Sequence, residues 1–167
     1  MEKTSKLVAV KDKLARTRHF LGGYWTFLVT GEETSGQFSL IEMNIRKGLE
    51  APGHTHTHED ESFFILEGEL RVLVGGEEHH IGPGEFIHLP KGIVHAYFAK
   101  TDTVKMLCTM APAGLENMFL AMSKPADKMD YPELPAGPPP PELLKRIGEL
   151  QAQYGIIGMQ RTEIKTV

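Results

Sequence analysis

A chain of 167 residues, 41% hydrophobic and 24% charged, has enough apolar surface for one packed domain without disulfide staples. Its net charge of −4, without a strong basic cluster, argues against nucleic acid as a partner, and no apolar run reaches the ~20 residues that span a bilayer. The basic first twenty residues lack an apolar core and a small-residue cleavage site, and the single cysteine, Cys108, rules out an internal disulfide, so a reducing, cytoplasmic setting is expected.

In chain order, residues 1–19 read as a polar arm, with a short strand expected at residues 7–10. Gly22 and Gly23 break it, and residues 24–30 (YWTFLVT) are β-branched and aromatic, as strands are. After a glycine-bounded turn, residues 38–45 place Ile41, Met43 and Ile45 on one strand face. A strand carrying two histidines follows, then a strand from Glu61 to Leu66. Residues 70–74 and 77–81 flank Gly75-Gly76, a strong hairpin signal. Strands are further expected at residues 85–89, 95–99 and 104–109, the last holding Cys108 as a small buried hydrophobe. Residues 115–122 suit a short helix. Residues 125–141 turn to proline, glycine and alanine, an extended linker ending in four prolines. Pro141 then starts a helix in which Leu143, Leu144, Ile147 and Leu150 form an apolar stripe for packing on the body or on a neighbouring subunit, with Gly155 ending it. Some eight to ten short strands spaced by glycine turns predict an all-β sandwich or barrel, and no internal repeat suggests a second copy.

Residues 53–68 read GHTHTHEDESFFILEG. His54 and His56 stand two apart, so an extended backbone puts both imidazoles on one side. A strand running on from Glu61 sets Glu61, Phe63 and Ile65 on a common face, and one bend brings the carboxylate to the histidines. About thirty residues on, residues 84–95 (GEFIHLPKGIVH) place His95 after a corner stiffened by Pro90 and Gly92. These positions predict a metal centre of His54, His56, Glu61 and His95.

The two stretches resemble the motifs of the cupin superfamily, G-x5-H-x-H-x3-4-E-x6-G and G-x5-P-x-G-x2-H-x3-N. Gly48, His54, His56, Glu61 and Gly68 match the first, and Gly84, Pro90, Gly92 and His95 the second. Only the closing asparagine, not a ligand in the family, is replaced, by Ala99. The stretches GGYWTFLVTGEETSGQFSLIE and TMAPAGLENMF, the proline linker and the terminal helix are similar to the quercetin dioxygenase-like branch, so the likeness covers residues 20 to 157. It implies a single jelly-roll β-barrel with an N-terminal arm and short C-terminal helices. Its expected parts are 1–34 (arm and first strand), 35–112 (barrel core) and 113–167 (helix, Pro-rich linker and helix packed on the barrel). The likeness also implies one divalent transition metal per chain, a small-molecule substrate, dioxygen as co-substrate, and a homodimer by analogy with other small cupins.

Three neutral imidazoles and one carboxylate suit Fe, Ni, Mn, Co, Cu or Zn, and leave coordination positions for substrate or water. In the dioxygenase expected from the family, a flavonol-like or other enolisable aromatic substrate loses a hydroxyl proton, with Glu61 as ligand and catalytic base. Two other readings stay open: an isomerase or lyase using the metal only as Lewis acid, and a small-molecule-binding module without chemistry. Tyr97, Phe63, Ile65, Met43 and Ile41 are the candidate pocket walls, and the same side chains could simply fill a small barrel. Tyr97 shares a face with His95, so its hydroxyl could orient substrate or tie the strand to backbone. His58 is expected beside the centre or at its rim. His19, His79, His80 and His88 are expected away from it.

Overall fold

A computed structural model describes residues 4–134, 137 and 140–158. A short 3-10 turn, Leu14–Arg16, leads into β1 (Thr17–Phe20) and β2 (Gly23–Val29). β3 (Ser39–Arg46), β4 (His54–His56), β5 (Asp60–Glu67), β6 (Leu70–Val74) and β7 (Glu77–Ile81) follow. β8 (Phe86–Leu89), β9 (His95–Ala99) and β10 (Thr103–Ala111) complete the body. The C-terminal part holds α1 (Glu116–Met122), β11 (Lys124–Pro125), α2 (Pro141–Gln153) and β12 (Ile156–Gly158).

The strands form two antiparallel sheets, in the orders β11-β1-β2-β3-β10-β5-β8 and β12-β4-β9-β6-β7. Their inner faces meet in one core: Trp25, Ile41, Phe63, Ile65 and Met106 from the larger sheet, Leu70, Val72 and Tyr97 from the smaller. Phe63 and Tyr97 touch edge to face across it, ring centres 5.2 Å apart. The period-2 pattern explains the inward rows, since Ile41, Met43 and Ile45 are all buried. Among the described residues, no helix is long and apolar enough to cross a membrane.

The N-terminal reading needs correction. Residues 7–10 form no strand, and Leu7 is fully in solvent. Residues 17–19, expected within the arm, form strand β1 together with Phe20 instead. Leu21 and Gly22 both take positive φ (48° and 71°), the geometry of a two-residue hairpin turn whose twist matches the strands it joins. The turn folds β1 back on β2 and buries Phe20 edge-on against Trp25, 4.7 Å between ring centres. Arg16 then forks onto Glu33, with Nη1 and Nη2 donating to its two carboxylate oxygens at 2.9 and 2.7 Å. The Thr30 amide donates to the same carboxylate at 2.9 Å, so the arm is pinned to the loop after β2.

The C-terminal reading changes too. Pro125, the start of the expected linker, pairs with β1 together with Lys124 before it, while residues 135–136 and 138–139 lie outside the described residues. Leu143 and Leu144 of the apolar stripe are 45% and 53% exposed, whereas Leu150 and Tyr154 pack against the core. After the helix, Tyr154 and Gly155 turn the chain so that β12 pairs with β4. Gly155 has φ 70°, and its carbonyl accepts from both the Thr57 amide and hydroxyl (3.1 and 2.8 Å). A Cβ there would run into Thr57 Oγ1 and the His58 ring, so only glycine permits this approach.

Two outcomes follow. Glu33→Ala should cost about 1–3 kcal/mol, lowering Tm by roughly 3–8 °C at about pH 7. The Arg16 fork holds the Glu33 carboxyl at about 2, below its unfolded value, so this stabilisation is complete above about pH 5 and fades as pH falls through about 2. Melting both proteins across that window checks the sign, since the gap must narrow on the acid side. Gly155→Val should detach β12 from β4, read as faster proteolytic clipping after residue 140.

Candidate metal centre

β4 is braced on both sides. β12 pairs along it, with Ile156 opposite His56 and Gly158 opposite His54, while His54 faces His95 of β9. The Gly92 amide in the corner before β9 donates to the His56 carbonyl at 2.8 Å. The i, i+2 spacing thus sends His54 and His56 to one side, and His95 joins them from the next strand. Glu61 arrives from the opposite sheet. Its neighbours in β5 register are Met110 and Leu89, and residues 57–59 carry the chain across between the sheets.

Four ligand atoms, one each from His54, His56, Glu61 and His95, lie within 4.8 Å of one another. His54 Nε2 and His56 Nε2 are 2.9 Å apart, and Glu61 Oε2 is 3.4 Å from His95 Nε2 and 3.7 Å from His56 Nε2. All four side chains are buried. His54 and His95 each place Nδ1 against the carbonyl two residues back, Pro52 O at 2.8 Å and Ile93 O at 3.1 Å. That contact needs a proton on Nδ1, so both Nε2 atoms present lone pairs to the centre. Glu61 Oε2 and His95 Nε2 find no hydrogen-bond partner there. An ion with ligand bonds of about 2.1 Å sets neighbouring ligand atoms roughly 3.0–3.4 Å apart. Buried lone pairs converging at 2.9–3.7 Å lie close to that spacing, and a divalent cation drawn between them satisfies all of them at once.

The electrostatics follow from burial and from crowding. Burial, joined by the charges of His56 and His95, lowers His54 to about 4, so its imidazole is neutral at ordinary pH. Burial also works to lower His56, yet the Glu59 and Glu61 carboxylates outweigh it and hold that residue above the usual imidazole value. For Glu61 burial pushes upward, but the three imidazoles prevail and keep the carboxyl at about 2. Cys108 lies fully buried in β10, and its Sγ donates to Glu61 Oε1 at 3.3 Å. Burial first, then the Glu61 charge, drives the thiol well above its ordinary value, so it stays a donor and is no nucleophile.

A cavity of about 60 Å³ opens over the cluster, with His54, His56 and Glu61 in its floor. Phe20, Trp25, Met43, Tyr97, Phe119 and Ile156 form much of its wall, and no lysine or arginine lines it among the described residues. Met43 and Tyr97 of the expected wall are therefore present. Phe63, Ile65 and Ile41 lie outside the lining and are completely buried in the core. Tyr97 is buried with the Ala51 backbone against its hydroxyl, and burial raises it well above a normal phenol. Phe20, Trp25, Phe119 and Ile156 escape sequence reasoning, because strand periodicity cannot tell which distant segments will close the mouth. His58 is exposed beside Gly155 rather than at the centre. His88 contacts Ser62, His80 and His79 face Glu78 and Glu77, and His19 meets the Asp130 carbonyl, all away from the cluster.

Residues 41–110 match the cupin domain family model. Over 101 residues, 60% of this chain, the sequence is 30% identical to quercetin 2,3-dioxygenase of Bacillus subtilis (strain 168), of which it covers 30%. An uncharacterized protein of Aquifex aeolicus (strain VF5) is 30% identical over 67 residues, 40% of this chain and 54% of its own length. The chain thus spans about a third to a half of these curated relatives. Among solved structures, KdgF from Halomonas sp. superposes with a TM-score of 0.51 at 16% identity, over 57% of this chain and 85% of that one. The nucleoside dehydratase Pac13 does so with a TM-score of 0.53 at 16% identity, over 68% and 88%. At such identities these structures speak for the fold alone. Two facing antiparallel sheets, both motifs in place and the family match over the strands that carry them lead to one conclusion: residues 41–110 are similar to the cupin domain family, in sequence and in fold.

Proposed function

We propose that this protein is a metal-dependent oxidoreductase of the quercetin 2,3-dioxygenase type, with His54, His56, Glu61 and His95 holding one divalent transition metal. The observation that carries this reading is the buried cluster of imidazole and carboxylate lone pairs in the floor of an apolar, aromatic-walled cavity. The distant likeness to the Bacillus subtilis dioxygenase supports it. A bound ion would supply Lewis acidity toward a substrate hydroxyl and contact with dioxygen.

The remaining work falls to the chain. Phe20, Trp25 and Phe119 present ring faces and edges that suit a flat aromatic substrate and exclude water. Without lysine or arginine in the wall, the only positive charge a substrate could meet there is that of a metal ion in the floor, so the rest of the molecule should be uncharged. Cys108 occupies Glu61 Oε1, leaving Oε2 as the oxygen that takes the substrate's hydroxyl proton. At about 60 Å³ the cavity holds a few waters, so a fused-ring substrate requires the α2–β12 cover to move outward. That cover is held by three paired residues of β12 and by the Gly155 contact with Thr57. A homodimer and a cytoplasmic location belong to the same reading, carried by family resemblance and by cysteine usage.

Protein purified without added metal should carry about one equivalent of divalent ion per chain by elemental analysis, and His95→Ala should lose it. Glu61→Gln should retain metal within about tenfold of the wild-type affinity yet lose turnover; unchanged turnover would exclude the base role. Oxygen uptake against a panel of flavonols and simpler enols, with each of Fe, Ni, Mn, Co, Cu and Zn, tests the reaction itself. Silence throughout that panel would discard the dioxygenase in favour of a non-redox isomerase or lyase, or of a small-molecule-binding module without chemistry.

A further inference from the structure

We propose that Glu59, in the spacer of the first motif, is the positioning residue that aims His56 at the metal; this rests on the metal-centre reading above. Two of the three imidazoles have Nδ1 tied to a carbonyl two residues back. His56 has no such tie, because the residue two back, His54, is itself paired within the sheet. The atom facing His56 Nδ1 is instead Glu59 Oε2, 3.7 Å away.

The two groups explain each other. Glu59 is only 4% exposed and its Oε2 has no hydrogen-bond partner, and His56 Nδ1, on a side chain 2% exposed, has none either. A buried carboxylate oxygen with nothing to accept is costly, and so is a buried ring nitrogen in the same condition. Neither finds another partner, and a small rotation closes the gap to hydrogen-bond length. With Nδ1–H directed at Glu59, the His56 Nε2 lone pair is directed at Glu61 and the other imidazoles. The three residues then form a line, carboxylate, imidazole and ligand carboxylate, with Glu61 Oε2 at 3.7 Å on the far side. Glu59 has this reach because it ends the crossing between the sheets, three residues after His56 and just before β5.

The test uses the full chain loaded with Co(II), whose visible absorption reports coordination geometry. Glu59→Leu should weaken Co(II) affinity by about 10–100-fold and alter the visible band. Glu59→Gln, whose amide oxygen still accepts from Nδ1–H, should restore most of the affinity and the wild-type band. Metal-free Glu59→Leu should melt within about 3 °C of wild type, since loss of the attraction to His56 is offset by no longer burying a carboxylate oxygen without a hydrogen-bond partner. Co(II) binding by the Leu variant within about twofold of wild type would overturn the assignment. So would a Gln variant as weak as the Leu variant, or a metal-free Tm that falls by more than about 3 °C together with affinity, the mark of a residue needed only for the fold. Wild-type protein that takes up no Co(II) would instead defeat the metal-centre reading itself, and this inference with it.

Discussion

Electron pairs from three imidazoles and one carboxylate, packed into the interior within 4.8 Å of one another, set the terms for everything around them. Such groups are starved of water, so the backbone must hold them together at a cost that a cation can offset. The fold meets this by taking the ligands from both sheets. Three come from adjacent strands of the five-stranded sheet and one from the seven-stranded sheet, joined by only three residues between β4 and β5. A short crossing leaves little freedom, and the facing aromatic core fixes the distance between the sheets.

The same burial sorts the neighbouring titratable groups into roles. Glu61 remains charged because imidazoles surround it, whereas Cys108 and Tyr97 stay protonated because little offsets their desolvation. One buried carboxylate is thus left as the basic oxygen of the cavity floor, with a thiol steadying its other oxygen. The walls carry no charge of their own, which confines recognition to shape, aromatic contact and whatever the ion itself would bind.

The C-terminal segment links fold to site more closely than an appended helix would. α2 leaves Leu143 and Leu144 in solvent and commits only its last turns to the core, after which β12 completes the smaller sheet alongside the histidine strand. The strand that carries two proposed ligands is therefore braced by the segment that also lines the cavity through Gln151 and Ile156.

Local geometry was legible in the sequence. The two-residue spacing of His54 and His56, the run of Glu61, Phe63 and Ile65 on one face, and the Pro90–Gly92 corner before His95 all follow from strand period and turn chemistry, which act over a few residues. Gly75-Gly76 announced its hairpin for the same reason, both glycines taking positive φ. Strand β1 was not legible, because its pairing depends on a turn at Leu21 where a non-glycine residue accepts a φ of 48°. Tertiary structure alone decided that Phe20, Trp25, Phe119 and Ile156 close the cavity while Phe63 and Ile65 fill the core, and that Glu59 stands behind His56. Those placements depend on which sheet lies over which and where a distant segment docks, and no periodicity within a single strand encodes such distances.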